Sequence, residues 1–503
     1  MPHFLNYSFR LYLYSFLYLA FPSFIFIFGW FRIEIWLPAL SIIGYSSFHF
    51  FKDIKKLSYH DTFTISPINS IKLILISIGI CLFSGIGGFT FQGDAEKHYS
   101  MLYDLVNRDW PVLYTSDSPI EKEVFLNYYF GYFIPPAFLS KVLNIHWIDN
   151  LILLWSIFGL YLSFCWVLKL SNSKNIGWAV LILLFLGGQD FIYATLKLGI
   201  NHVFFNKNGI WEIYKAEVNT VCVFHNTILR YPTNFYAISW APQHLFGAWI
   251  CTSLVIDQVI FRKNIRNVGF IAAFLPIWSV FNAIGLLPFL AVFIWNAFRK
   301  FMSFQNLAGG GILVFLVGAF FIAHYPVEDQ GWIWEYIPFP QAMVKIVLFL
   351  LFEFGYLALV VNRFVQKSPY QLIWQISLVT LSVLPLYVLG YFNDLLMRTA
   401  VPSIFIINLV AVCFFNQWGF KYKKLVTGIV LFMVAFPQLI AIGKHLPGTI
   451  MFHAEHGFSE SRKRINDEKS LINVTDAEWF NYQYFGKADS FYMKFLAKKQ
   501  KHK

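Results

Sequence analysis

The sequence predicts an all-α polytopic membrane protein, with about thirteen transmembrane helices and a large external loop containing juxtamembrane helices. Three observations carry that prediction. The 503-residue chain holds fourteen strongly apolar stretches, and a helix needs about 20 apolar residues to cross the hydrocarbon core. It is 57% hydrophobic and only 13% charged, with a mean hydropathy of +0.56, where soluble domains carry about a quarter charged residues. The charges between the stretches also sort by sign. The gaps at Lys52–Lys56, Lys169–Lys174, Arg262–Arg266, Arg299–Lys300, Arg363–Lys367 and Lys421–Lys424 are basic and nearly free of carboxylates, whereas the other large gaps hold most of the Asp, Glu and His. Basic loops stay cytoplasmic.

Taken in order, the spans fall at roughly 11–29, 33–51, 71–89, 147–168, 177–197, 242–262, 268–283, 284–298, 309–325, 343–361, 371–391, 399–416 and 425–443. The first lacks a small-residue cleavage site and reads as a retained span, not a removed signal. The run 268–298 is too long for one helix, and Asn282, Ala283, Ile284 and Gly285 make a tight reversal at its middle.

The fourteenth stretch, Val124–Leu143, is read as not crossing. If it crossed, every later basic loop would face outward. If it dips in and returns, all six basic gaps lie inside. Its Tyr128-Tyr129, Gly131 and Pro135-Pro136 support a hairpin, because adjacent prolines remove two backbone donors and disfavour helix before them. Broken backbone at membrane depth requires cover from protein or a wet cavity.

This layout puts the N-terminus inside. It divides the chain into a transmembrane domain over 1–443, with external loops 90–146 and 198–240, and a short polar and aromatic C-terminal segment, 444–503, on the outer face. The chemistry therefore belongs to the non-cytoplasmic side. The net charge of +12 sits mostly at helix ends, where anionic headgroups account for it and nucleic acid is not needed. The five cysteines are scattered without metal or disulfide spacing. No internal repeat is visible.

The polar residues on that side define the candidate site. Gly93-Asp94-Ala95-Glu96 follows the third span. Asp94 is placed either to cap the next helix or to act as a partly desolvated base, whose pKa would rise toward a useful range. On a helix Asp94 and Glu96 diverge. Trp240-Ala241-Pro242-Gln243-His244 opens a span at the outer surface, with Gln243 and His244 either meeting water or lining a cavity. His225 and Arg230 lie in the loop before it, and a guanidinium can grip phosphate in bidentate fashion. Arg398 stands on the face that the positive-inside bias disfavours, either snorkelling and paired with Asp394 or serving a ligand. Within spans, Asp257 lies one turn from Arg262, and Glu353 reads as structural. The tail carries a glycosylation sequon, Asn473-Val474-Thr475.

The run of Asp94, Glu96, Asp109-Trp110, Tyr128-Tyr129 and Pro135-Pro136 resembles the first external loop of the GT-C glycosyltransferases, most specifically over residues 85–145. Members of that family usually place this loop after their first span; here two more helices precede it. Arg398 before Pro402 matches the late external Arg that the family associates with a lipid-linked phosphate.

The resemblance implies an integral membrane hexosyl- or pentosyltransferase that moves a sugar from a polyprenyl-phosphate donor to a glycan, lipid or protein acceptor among membrane lipids. Asp94 would be the base. Glu96 would assist it or, with Asp94, hold a divalent cation where one is used. Arg398, Arg230 and His244 would bind the donor phosphate, with Gln243, His225, Tyr128, Tyr129 and Asp394 around the substrate. Two other readings stand beside it: a transporter or flippase for an anionic lipid-linked saccharide, and an O-antigen-ligase-like enzyme with a pyrophosphate-linked donor. The Phe, Ile, Lys and Asn bias matches an AT-rich bacterial genome, which places the chain in a bacterial inner membrane with its site on the periplasmic face.

Overall fold

The computed structural model describes residues 7–57, 61, 63–88, 95–115, 123–144, 147–187, 228–327, 329–390, 393–417, 469–474 and 483–499. Asp94, His225, the expected span 425–443 and most of both the 198–240 loop and the tail lie outside them. The chain is mostly helical. Among the described residues six helices are long and apolar enough to cross a membrane: Tyr7–Trp30, Ile148–Ser171, Pro242–Phe261, Val280–Phe301, Gln305–Ile322 and Phe339–Val365. Several other apolar helices are shorter, including Pro67–Phe83 and Val401–Gln417. The chain forms two compact units. The first comprises Met1–Trp166, Trp240–Glu328 and Phe452–Lys503, and the second comprises Val167–Ser239 and Asp329–Met451.

In the first unit, helix Tyr7–Trp30 reverses through Phe31 and Arg32 into helix Ile33–Leu57. Ser66 caps helix Pro67–Phe83, which starts on a proline that needs no amide partner there. That helix stops before the expected residue 89. Gly85, Gly87 and Gly88 adopt φ of 82°, 82° and 81°, a left-handed backbone that glycine enters without steric cost.

The segment around the twin prolines forms no spanning helix. Strand Glu123–Leu126 leads through a turn into helix Ile134–Leu143. Its ten residues rise about 15 Å, half the ~30 Å hydrocarbon core. The prolines stand in the first turn of this helix and do not break one in its middle, because the first-turn amides lack helical partners anyway. The turn is pressed deep among the helices. Gly131 donates its amide to the Ile277 carbonyl at 2.9 Å, and a Cβ there would lie 2.8 Å from that oxygen. Phe130 packs on Trp30 and Phe320, and the Tyr132 and Ser156 hydroxyls meet at 2.5 Å.

The reversal expected at Asn282–Gly285 lies three residues earlier. Ser279 is extended (φ −169°, ψ 118°) and separates Leu275–Trp278 from Val280–Phe301. Its hydroxyl caps the new helix by accepting the Asn282 amide, which keeps 282–285 helical. The chain folds back on itself there, since a Cβ on Gly269 would lie 2.8 Å from the Phe301 ring. At the other end of helix Pro242–Phe261, Arg262 pairs with Asp257 at 2.5 Å and with Asp61 at 3.3 Å, as the spacing of the first pair suggested.

The tail is built into this unit. Strand Phe485–Lys487 pairs antiparallel with Glu123–Leu126, which also pairs with Leu113–Thr115. Gly486 faces Phe125 in register, where a Cβ would come within 2.6 Å of the ring. Arg32 donates to the Ala497 carbonyl at 2.9 Å, and Tyr492 to the Trp30 carbonyl at 3.1 Å.

In the second unit, helix Val401–Gln417 packs against Gln371–Val383 and Ile176–Phe185. The Leu183 carbonyl accepts from Asn408 at 3.1 Å and Asn234 at 2.6 Å. Strands Gln330–Trp332 and Tyr387–Leu389 pair antiparallel, and Asn393, in the left-handed region, caps the short helix Asp394–Thr399. Glu353 is buried in a π-helical turn, Leu351–Gly355.

Candidate functional site

In the first unit a group of polar side chains gathers where the turn before helix Ile134–Leu143 meets the start of helix Pro242–Phe261. Pro242 opens a 3-10 turn that carries Gln243 and His244 inward, leaving them 1% and 2% exposed. The Gln243 amide nitrogen lies 3.2 Å from His98 Nε2 and 3.5 Å from the Tyr128 hydroxyl. His244 Nδ1 lies 2.8 Å from Ser279 Oγ, and Asn282, fully buried, donates its side-chain amide to the His244 carbonyl. Aromatic rings border the group. Tyr128 stacks on Tyr484 with centroids 4.6 Å apart, Tyr129 meets Tyr128 at 3.9 Å, and Tyr129 meets the His244 ring at 4.7 Å.

Counting donors and acceptors shows what this group lacks. Among the described residues, Gln243 Oε1, His244 Nε2 and Asn282 Oδ1 are buried without a hydrogen-bond partner. Each such atom costs about 1–3 kcal/mol, and three neighbouring ones call for an explanation. Ser279 accepts from the Asn282 amide, and among the described residues its hydroxyl has no acceptor but His244 Nδ1. The hydroxyl hydrogen therefore goes to Nδ1, which leaves the proton of the neutral imidazole on Nε2. The cluster thus offers one donor and two acceptors, without charge, beside tyrosine rings.

The sequence-predicted residues divide between the units. Tyr128, Tyr129, Gln243 and His244 come together as described. In the second unit Arg398 pairs with Asp394 at 3.0 Å, the i,i+4 pairing that was one of the two expectations. Arg230 lies over the Tyr236 ring at 4.3 Å. Asn393 donates to the Ile228 carbonyl at 2.9 Å and so ties the Arg230 loop to the helix of Arg398. Next to Arg230, Tyr231 donates to the Leu381 carbonyl at 2.6 Å; burial, then Glu353, raises its pKa above the usual phenol range.

Helix Ala95–Asn107 begins directly after Asp94 and contains Glu96, whose side chain lies outside the description. Among the described residues no three His, Cys, Asp or Glu side chains are grouped to hold a metal ion; that finding does not reach Asp94 and Glu96. His98, Ser279, Asn282 and Tyr484 belong to the cluster but were not singled out as site residues from sequence. His98 had a signal, as an isolated imidazole one turn past Asp94. No family model, curated protein or solved structure matches the chain.

Proposed function

We propose that this chain is a GT-C-like integral membrane glycosyltransferase. It uses a polyprenyl-phosphate-linked sugar, and it works on the non-cytoplasmic face of a bacterial inner membrane behind about thirteen crossings. The observation that carries the reading is the buried, uncharged trio of Gln243 Oε1, His244 Nε2 and Asn282 Oδ1 beside Tyr128 and Tyr129. A sugar presents hydroxyls that both donate and accept, together with an apolar ring face that suits an aromatic border. A few converging polar groups in a mostly apolar wall is the ordinary composition of a small-molecule site.

In the reaction an acceptor hydroxyl oxygen attacks the anomeric carbon. The bond from that carbon to the phosphate oxygen breaks, the lipid phosphate leaves with the electron pair, and the acceptor proton passes to a base. Asp94 is assigned as the base with Glu96 beside it in sequence, and Arg398 and Arg230 are assigned to the phosphate charge that builds as the bond breaks. His244 had been expected on the phosphate. As a neutral donor among acceptors, it is reassigned to sugar hydroxyls.

The test uses the full chain in lipid nanodiscs with radiolabelled polyprenyl-phosphate sugars and an envelope-glycan extract. Release of polyprenyl phosphate with transfer of label is expected, falling about a hundredfold in His244→Ala, on the scale of losing one positioned donor. Wild-type protein without transfer, or a variant that turns over normally, would sink the proposal. Movement of intact donor across sealed vesicles without transfer would favour the transporter.

A further inference from the structure

In the second unit strand Gln330–Trp332 runs directly into the short helix Ile333–Tyr336 and builds an aromatic ledge. The Trp332 and Trp334 rings stack with centroids 4.9 Å apart and planes within 5°, yet they remain 46% and 37% exposed. Tyr387, on the paired strand, sets its ring edge-on to Trp332 at 5.5 Å. Two carboxylates belong to the same stretch. Glu335 Oε2 lies over Gly331, 2.3 Å from where a Cβ would stand. The Asp329 carbonyl is held by the Gly390 amide at 2.7 Å. The Tyr336 ring faces the same Gly331, 3.5 Å from that Cβ position, and burial, then Asp329, then Glu335 raise its pKa. Neither carboxylate is engaged by another described side chain.

An aromatic girdle at a lipid surface is the ordinary reading of exposed tryptophans. A girdle needs only the rings, and the basic residues missing from 326–341 are ordinary for an outer-face loop, but this stretch adds Glu328, Asp329 and Glu335. The ledge therefore combines flat apolar faces with free acceptors. Those acceptors can take the hydrogens of neighbouring hydroxyls, and an ionised carboxylate has about four lone-pair sites for them.

We propose that the ledge binds a neutral glycan, with a sugar ring on the exposed Trp332–Trp334 indoles and its hydroxyls donating to Asp329 and Glu335. Under the transferase reading the glycan it holds is the acceptor. The binding itself does not depend on that reading.

Saturation-transfer NMR and intrinsic tryptophan fluorescence on the full chain in nanodiscs, with short neutral oligosaccharides of hexose and N-acetylhexosamine, test it. Saturable binding is expected, weakened about tenfold or more in W332A/W334A, largely kept in W332F/W334F, and weakened severalfold in E335Q. Absence of saturable binding by the wild-type chain would overturn the proposal. So would equal binding by a monodisperse W332A/W334A, or by E335Q and W332A/W334A alike. Wild-type binding without sugar transfer would break the transferase reading and leave the ledge standing. Transfer with an unchanged acceptor KM in W332A/W334A would do the reverse.

Discussion

Two buried polar groups in the first unit look alike by composition and differ in accounting. Asp104 is fully buried, and its carboxylate accepts from Arg108 at 3.0 Å, Tyr114 at 2.7 Å, Ser470 at 2.9 Å and the Leu471 amide at 2.8 Å. These bonds fasten helix Ala95–Asn107, strand Leu113–Thr115 and the tail to one another. The group of Gln243, His244 and Asn282 is as deeply buried, yet each member keeps one polar atom without a partner among the described residues. A satisfied network holds a fold together, whereas a half-satisfied one is costly unless something else completes it. The difference makes Asp104 a structural anchor and is what the ligand-site proposal for the His244 group rests on.

The sharpest way to break that contrast is to remove Asp104. Asp104→Ala strands the Tyr114 hydroxyl and the Leu471 amide in the interior, and a cost of about 1–3 kcal/mol for each stranded donor is expected. Thermal unfolding in nanodiscs would show it as a large drop in Tm, with the donor-transfer rate per folded molecule little changed. Next in size is the opposite pattern at the other group. Gln243→Leu with Asn282→Leu deletes two orphan acceptors and also the bonds to His98 and the His244 carbonyl, so the stability change is expected to be small, about 1–2 kcal/mol, while transfer falls about a hundredfold. A double variant that unfolds as readily as Asp104→Ala would show that the atoms have partners after all.

Much of this arrangement was legible in the sequence. The paired prolines pointed to a stretch that is not one continuous spanning helix, because a proline has no amide to give. Gln243 and His244 were visible as polar residues at the opening of an apolar helix. The exact reversal was not. Asn282 and Ser279 are both good turn residues, and only the bond between them shows that Ser279 is the cap and Asn282 is already helical. The tail strand was also hidden. Its register against Glu123–Leu126 joins residues more than 350 positions apart in the sequence, and no local pattern in Phe485-Gly486-Lys487 announces a partner. His98 was not singled out, since its role depends on Gln243 reaching it across the fold.

That hidden strand gives a smaller prediction. Gly486→Ala puts a methyl within 2.6 Å of the Phe125 ring, and overpacking of this kind costs about 1–3 kcal/mol. Limited proteolysis is expected to release the tail sooner while the helical unit stays intact. A tail as protected as in the wild type would mean that the strand is not what holds it.

The smallest expected effect separates the structural network from the ligand site by pH alone. Burial first, and Asp104 second, hold the Tyr114 phenol well above the ordinary value of 10.0. A group whose folded pKa exceeds its unfolded one keeps its full contribution below the unfolded value. It loses that contribution as pH rises above it, because the unfolded chain releases the proton first. Stability should therefore be flat through neutral pH and fall above about pH 10, with Tyr114 contributing a slope of at most about 1.4 kcal/mol per pH unit. Tyr114→Phe should start lower, having lost one buried hydrogen bond, and then decline less steeply than the wild type across the same alkaline range. Parallel slopes for the two proteins would mean that Tyr114 ionises without reference to folding, and the tight accounting around Asp104 would fail with it.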